Sequence, residues 1–67
     1  MVKVQLNGRE FDLPAGLNLQ QLIEQKGYNP ATIIVEHNYN LVKREQWAEV
    51  VLQENDHIEI LRFVGGG

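Results

Sequence analysis

The end of the sequence, Val64-Gly65-Gly66-Gly67, holds the group with the clearest chemical use. Glycine has no side chain to pack and loses much backbone entropy on ordering, so this run adds nothing to a core. A chain without Cβ atoms can instead enter a narrow slot and carry the α-carboxylate of Gly67 to an active site on another protein. Four extended residues would reach roughly 13 Å. The competing interpretation is a frayed end or a remnant of expression cloning.

The side chains of the sequence predict no catalytic or metal centre. The 67 residues include no cysteine and no serine, and Thr32 lacks an obvious base. His37 and His57 belong to different predicted strands with no third ligand nearby, so solvated or rim histidines are expected there. No Walker-type phosphate loop is present. We therefore expect a chain that is not itself an enzyme and binds no cofactor.

Charge and hydropathy limit the partners. The net charge is −3, with acidic and basic residues interspersed, which argues against nucleic acid as a partner. No apolar stretch approaches the ~20 residues of a membrane span, and the start alternates like a strand instead of a signal peptide. These features favour a cytoplasmic protein without a membrane partner.

The first half of the chain predicts a hairpin and a helix. Strands are expected at Val2–Leu6 and Arg9–Leu13, joined by the Asn7-Gly8 pair that suits a type I′ turn. A helix over residues 18–27 should begin at the N-cap Asn18 and end at Gly27. Its apolar stripe should face the sheet. The stripe consists of Leu19, Leu22 and Ile23.

The second half predicts three more strands. Residues 32–37 are rich in β-branched side chains, residues 41–42 form a short strand, and residues 57–64 form the last one. Trp47, in a helical turn or crossover, is expected to fill the core. Asn55 is expected to be left-handed in a turn. This order fits an α+β fold of the β-grasp type, with a mixed sheet of four to five strands, one helix on a face, and the last strand parallel to the first. Residues 1–64 would form one domain, followed by a flexible tail, 65–67.

Three apolar side chains are predicted on the outer face of the sheet near the tail. Ile58 and Ile60 should face the helix, which places Leu61 and Phe63 on the opposite side. Pairing with the third strand adds Ile34. Scattered exposed apolar residues are normal, but three together are more often a partner-binding site.

The chain resembles the ThiS family of ubiquitin-like β-grasp sulfur carriers of thiamine biosynthesis over essentially all of its length. The resemblance rests on four segments. They are Leu6-Asn7-Gly8, Arg44-Glu45-Gln46-Trp47, Asp56-His57-Ile58-Glu59-Ile60 and Phe63-Val64-Gly65-Gly66-Gly67. The Gly-Gly end is shared by related carriers, whereas the Arg-Glu-Gln-Trp segment points to the thiazole branch.

The resemblance implies a role as a protein co-substrate. A ThiF-type adenylyltransferase would use ATP to adenylate Gly67, sulfur from a cysteine-desulfurase persulfide would give a thiocarboxylate, and thiazole synthase would take that sulfur. Val64, Gly65 and Gly66 would thread into the partner sites. Two alternatives stay open: a molybdopterin-synthase small subunit, and a non-covalent ubiquitin-like binding module with an inert tail.

Overall fold

A computed structural model describes residues 1–63 of the chain. The strands are β1 (Val2–Leu6), β2 (Arg9–Leu13), β3 (Ile33–His37), β4 (Asn40–Val42) and β5 (His57–Arg62), and the helix is α1 (Leu19–Lys26). Short 3-10 helices span Pro30–Thr32 and Arg44–Glu49. Val64 and the predicted tail, 65–67, lie outside the described residues, so the predictions made for them stay predictions.

The five strands form one mixed sheet in the order β2-β1-β5-β3-β4. Only the β1–β5 pair is parallel, and the other three pairs are antiparallel. The last strand therefore lies at the centre of the sheet, parallel to the first, as the sequence predicts. Because β5 is central, Phe63 follows the middle strand of the sheet and not an edge strand.

Local signals in the sequence fix the hairpin and the helix. Asn7 and Gly8 both have positive φ, 51° and 82°, as a type I′ turn requires. Asn18 and Gln21 exchange the two bonds of a capping box, and Gly27 ends α1 in the left-handed conformation at φ 78°. These elements stand where they were predicted.

The core lies between α1 and the inner face of the sheet, and Trp47 closes one side of it. The Trp47 indole donates a hydrogen bond to the Val42 carbonyl oxygen at 3.1 Å, which satisfies its one polar atom. The buried apolar residues are Val4, Leu6, Leu13, Leu17, Leu19, Leu22, Ile23, Ile33, Val35, Trp47, Leu52, Ile58 and Ile60. The predicted packing of the helix stripe on β1 and β5 is thereby confirmed.

Three strand boundaries differ from the prediction. The fourth strand begins at Asn40, one residue before the predicted start. Thr32 belongs to a 3-10 helix, because its backbone N–H and its hydroxyl both donate to the Asn29 carbonyl oxygen at 3.0 Å. The third strand therefore begins at Ile33. The last strand ends at Arg62, although the Phe63 N–H still donates to the Thr32 carbonyl oxygen.

Candidate functional site

We call Leu61 to Phe63, the last described residues before the tail, the root of the tail. Backbone pairing with β3 holds them on one side. Ile34 lies opposite Leu61, and Ile33 lies opposite Arg62. The Phe63 N–H donates to the Thr32 carbonyl oxygen at 3.0 Å. The chain is thus hydrogen-bonded up to Phe63, directly before Val64.

On the other side of β5, a side chain continues where the backbone of β1 stops. Strand β1 ends at Leu6, and the Asn7 N–H donates to the Ile58 carbonyl oxygen at 2.9 Å. The Asn7 Oδ1 then accepts from the Ile60 N–H at 2.8 Å, while its Nδ2 donates to the Ile60 carbonyl oxygen at 3.2 Å. The carboxamide therefore makes hydrogen bonds to β5 that the backbone of β1 would make if that strand continued past Leu6. The sequence predicts the turn at Asn7 but not this second role.

The predicted outer-face residues are brought together and exposed. Ile34 is 40%, Leu61 51% and Phe63 44% exposed. Ile33, which precedes Ile34, and Ile60, which precedes Leu61, are buried on the inner face, because successive side chains of a strand point to opposite faces. We call Ile34, Leu61 and Phe63 the apolar patch. It lies at the root of the tail, and its role in partner binding remains a prediction.

The outer face also holds features that sequence reasoning missed. Leu41 of β4 is exposed and lies opposite Glu36, which in turn lies opposite Glu59 of β5. Leu41 extends the apolar surface away from the tail, and the two glutamates give the centre of this face negative charge.

A buried polar cluster lies at the start of β5, at the end of the sheet opposite the tail. Asp56 is only 6% exposed, and its carboxylate accepts hydrogen bonds from His37 Nε2 at 2.8 Å, Gln53 N–H at 2.8 Å and Asn38 Nδ2 at 3.1 Å. Asn38 Oδ1 accepts from the His57 N–H at 2.8 Å. The cluster ties the β3–β4 turn to β5.

The hydrogen bonds of this cluster set the charge state of Asp56. Burial alone would raise the pKa of the carboxyl, but the bonds from His37, Gln53 and Asn38 outweigh it and hold the pKa below its usual value. His37 lies at the rim of the sheet, as predicted, with 23% of its side chain exposed and a hydrogen bond to Asp56. Within residues 1–63, no group of three or more potential metal ligands comes together.

None of the helices formed by residues 1–63 has the length and apolar character of a membrane span.

The geometry of the tail root suits presentation of the chain end to another protein. The chain is hydrogen-bonded to its neighbours in the sheet up to Phe63, and the outer face beside it is apolar and exposed.

Comparison with known proteins agrees with this architecture. The crystal structure of the thiamine biosynthesis protein ThiS from Geobacter metallireducens superposes with a TM-score of 0.84 at 26% identity, covering 98% of this chain and 100% of that one. The sulfur carrier protein ThiS of Bacillus subtilis is 35% identical over 65 residues, which are 96% of this chain and 98% of that protein.

A much longer protein is similar as well. The thiazole synthase of Magnetococcus marinus is 41% identical over 66 residues, which are 98% of this chain but 20% of the synthase. The chain thus spans about a fifth of the length of that relative.

The mixed sheet with one helix on its inner face defines a β-grasp protein, as predicted. The model of the ThiS family matches residues 4–67, and the chain belongs to that family.

Proposed function

We propose that this chain is a sulfur carrier for the formation of the thiazole ring of thiamine. The observation that carries the proposal is the family match, which extends through the glycine run to residue 67. The Bacillus subtilis and Escherichia coli relatives, both named sulfur carrier protein ThiS, support the same role. The similarity to a thiazole synthase favours the thiazole branch over the molybdopterin branch.

The reactive group would be the α-carboxylate of Gly67. A carboxylate is a poor electrophile, so it first attacks the α-phosphate of ATP on an activating enzyme, which gives an acyl-adenylate and releases pyrophosphate. The terminal sulfur of a persulfide then displaces AMP to form an acyl disulfide. A second thiol attacks the disulfide and releases the thiocarboxylate, and the two thiols that remain are left as a disulfide.

The catalytic residues of these steps would belong to the partners. A ThiF-type adenylyltransferase binds ATP, a cysteine desulfurase supplies the persulfide, and thiazole synthase accepts the sulfur, all in the cytoplasm. The carrier contributes its thin tail, Val64 to Gly66, and a surface that the activating enzyme binds. The apolar patch of Ile34, Leu61 and Phe63 is the candidate for that surface, because it is exposed directly beside the tail root.

The experiment is the conversion of the purified chain with ATP, the adenylyltransferase, a desulfurase and cysteine. Intact-protein mass spectrometry should show one carboxylate oxygen of Gly67 replaced by sulfur. Deletion of Gly67, or addition of one residue after it, should abolish the product and leave the melting temperature unchanged, because the carboxylate is then misplaced. Gly66→Val should block threading in the same way.

Normal conversion of the extended chain would show that the α-carboxylate of Gly67 is not the reactive group. The inert-tail interpretation, a non-covalent ubiquitin-like module, would then replace the proposal.

A further inference from the structure

A cleft lies on the helix side of the sheet, beside the root of the tail. Its volume is about 230 Å³. The residues that line it are Leu6, Asn7, Arg9, Phe11, Lys26 and Tyr28. We call it the basic cleft, because two of these side chains are cationic and a third cation, Arg62, lies at its edge.

The register of the sheet places the two arginines on the same side. Arg9 lies opposite the buried Leu6, and Arg62 lies opposite the buried Ile33, so both arginines are on the face that carries the helix. Arg62 Cζ is 5.9 Å from the centroid of the Tyr28 ring. Tyr28 also lines the cleft, so Arg62 is at its edge.

The helix supplies the third cation. Lys26 is the last residue of α1, and its Nζ lies 3.7 Å from the centroid of the Phe11 ring. The aromatic face attracts the ammonium group and keeps it at the cleft, but it does not neutralise the charge.

The concentration of positive charge is unusual for this chain. The sequence has six lysines and arginines and a net charge of −3, and three of the six are at this cleft. Within residues 1–63 the one ion pair joins His37 to Asp56, so Arg9, Lys26 and Arg62 have no carboxylate partner in that part of the chain. The walls formed by Leu6, Phe11 and Tyr28 are apolar, which strengthens electrostatic attraction inside the cleft.

The cleft is directly linked to the tail root. Asn7, which lines it, makes both side-chain hydrogen bonds to Ile60, and Arg62 directly precedes Phe63. The apolar patch lies on the opposite face of the same strand. A protein that holds the tail would therefore be adjacent to both surfaces.

From this arrangement we infer that the basic cleft is a second docking surface, which binds aspartate or glutamate side chains of the activating enzyme. The inference rests on the proposed function and adds the chemistry of the partner surface. Arginine binds carboxylates through two parallel hydrogen bonds, and charge complementarity of this kind raises association rates and selects partners.

The test is the double variant Arg9→Glu/Lys26→Glu, compared with the control Lys43→Glu/Arg44→Glu. Both variants reverse two exposed lysine and arginine charges, but the control positions lie in and beside the Arg44–Glu49 helix, outside the cleft. The KM for the carrier in thiocarboxylate formation should rise about tenfold for the cleft variant and less than twofold for the control. The value of kcat should stay the same in both. The KM of the unaltered chain should rise with salt, and that of the cleft variant should rise less.

Three outcomes would overturn the inference and leave the proposed function intact. Equal KM values for the two variants would show that the cleft does not contact the enzyme. In NMR spectra, shifts of the Tyr28 and Lys26 resonances on addition of inorganic phosphate, together with a KM of the cleft variant that equals that of the unaltered chain, would assign the cleft to a small anion. The same shifts on deletion of residues 65–67 would assign it to the tail of this chain. If the unaltered chain is not converted at all, the proposed function fails and this inference fails with it.

Discussion

Asn7 has two roles in this structure. Its backbone adopts positive φ in the hairpin turn, and its carboxamide binds both backbone polar groups of Ile60. Asn7→Gly keeps the turn conformation and removes the carboxamide. Because the N–H and carbonyl of Ile60 would lose their partner, the free energy of unfolding should fall by about 1–3 kcal/mol. Denaturant unfolding measures this, and amide hydrogen exchange at Ile60 should become faster.

Asn55→Gly is the matched control for this change. Asn55 also has positive φ, 69°, but its side chain takes part in no hydrogen bond found among residues 1–63. The control should change the unfolding free energy by less than about 0.5 kcal/mol. Equal effects of the two substitutions would mean that the carboxamide of Asn7 contributes nothing to the tail root.

Asp56 makes the stability of the protein dependent on pH. Its folded-state pKa is lowered, so its contribution is present above the unfolded-state pKa of about 3.9 and is lost as the pH falls through the folded-state value. Asp56→Asn replaces one accepting oxygen by an NH₂ donor. In one orientation of the amide this donor faces the donors of His37 and Gln53, and in the other it faces the Asn38 Nδ2. It should lower the unfolding free energy by about 1–3 kcal/mol at pH 7.

The difference between the Asp56→Asn variant and the unaltered protein should shrink as the pH falls to 3. Asp12→Asn, on the exposed part of β2, is the control and should be nearly neutral. Thermal unfolding across this pH range measures both. A difference that stays constant from pH 7 to pH 3 would contradict the assigned role of the carboxylate.

These two residues show why the single-residue level was only partly predictable. The sequence predicts that Asn7 is in a turn, because an Asn-Gly pair between alternating segments is a local signal. Its bonds to Ile60 join positions that are 53 residues apart, and those of Asp56 to His37 join positions 19 apart. No local pattern carries such contacts. The same holds for the basic cleft, whose residues come from the hairpin, the helix end and β5.

At the scale of elements, α1 depends on packing more than on its own propensity. A helix of eight residues is marginal alone in water, and Leu19, Leu22 and Ile23 are all buried against the sheet. Leu22→Ala should therefore lower the unfolding free energy by about 2–5 kcal/mol. Gln25→Ala, at an exposed position of the same helix, should have almost no effect. A negligible shift for Leu22→Ala in chemical denaturation would place this stripe outside the core.

The elements with local signals were predictable, and those that depend on distant contacts were less so. The hairpin and the helix stand within one residue of the predicted bounds. The β3–β4 turn uses Tyr39 at φ 71°, which is uncommon for a bulky residue. Its hydroxyl lies 3.2 Å from His57 Nδ1, and Asn38 beside it binds Asp56 and His57. The contacts that hold this turn therefore come from β5 and the residue before it, which the turn sequence alone does not reveal.

At the scale of the whole molecule, the two faces of the sheet differ in what they bury and expose. The inner face builds the core, and the outer face leaves the apolar patch exposed beside the tail. Phe63→Ser should therefore leave the melting temperature almost unchanged and weaken binding to the activating enzyme. Val51→Ser removes a similarly exposed apolar side chain outside the patch and should leave that binding intact. Calorimetric titration measures the affinities, and unfolding of the Phe63→Ser variant would show that this side chain belongs to the core.

The parallel pairing of β1 and β5 also determines how the molecule resists mechanical force. Because β1 and β5 run in the same direction, Val2 at the start of β1 and Phe63 after the end of β5 lie at opposite ends of the sheet. Tension between the two ends would shear all the hydrogen bonds between β1 and β5 at once, instead of peeling them one after another. In single-molecule stretching, Asn7→Gly should lower the rupture force, because the Asn7 carboxamide adds two bonds to this sheared row.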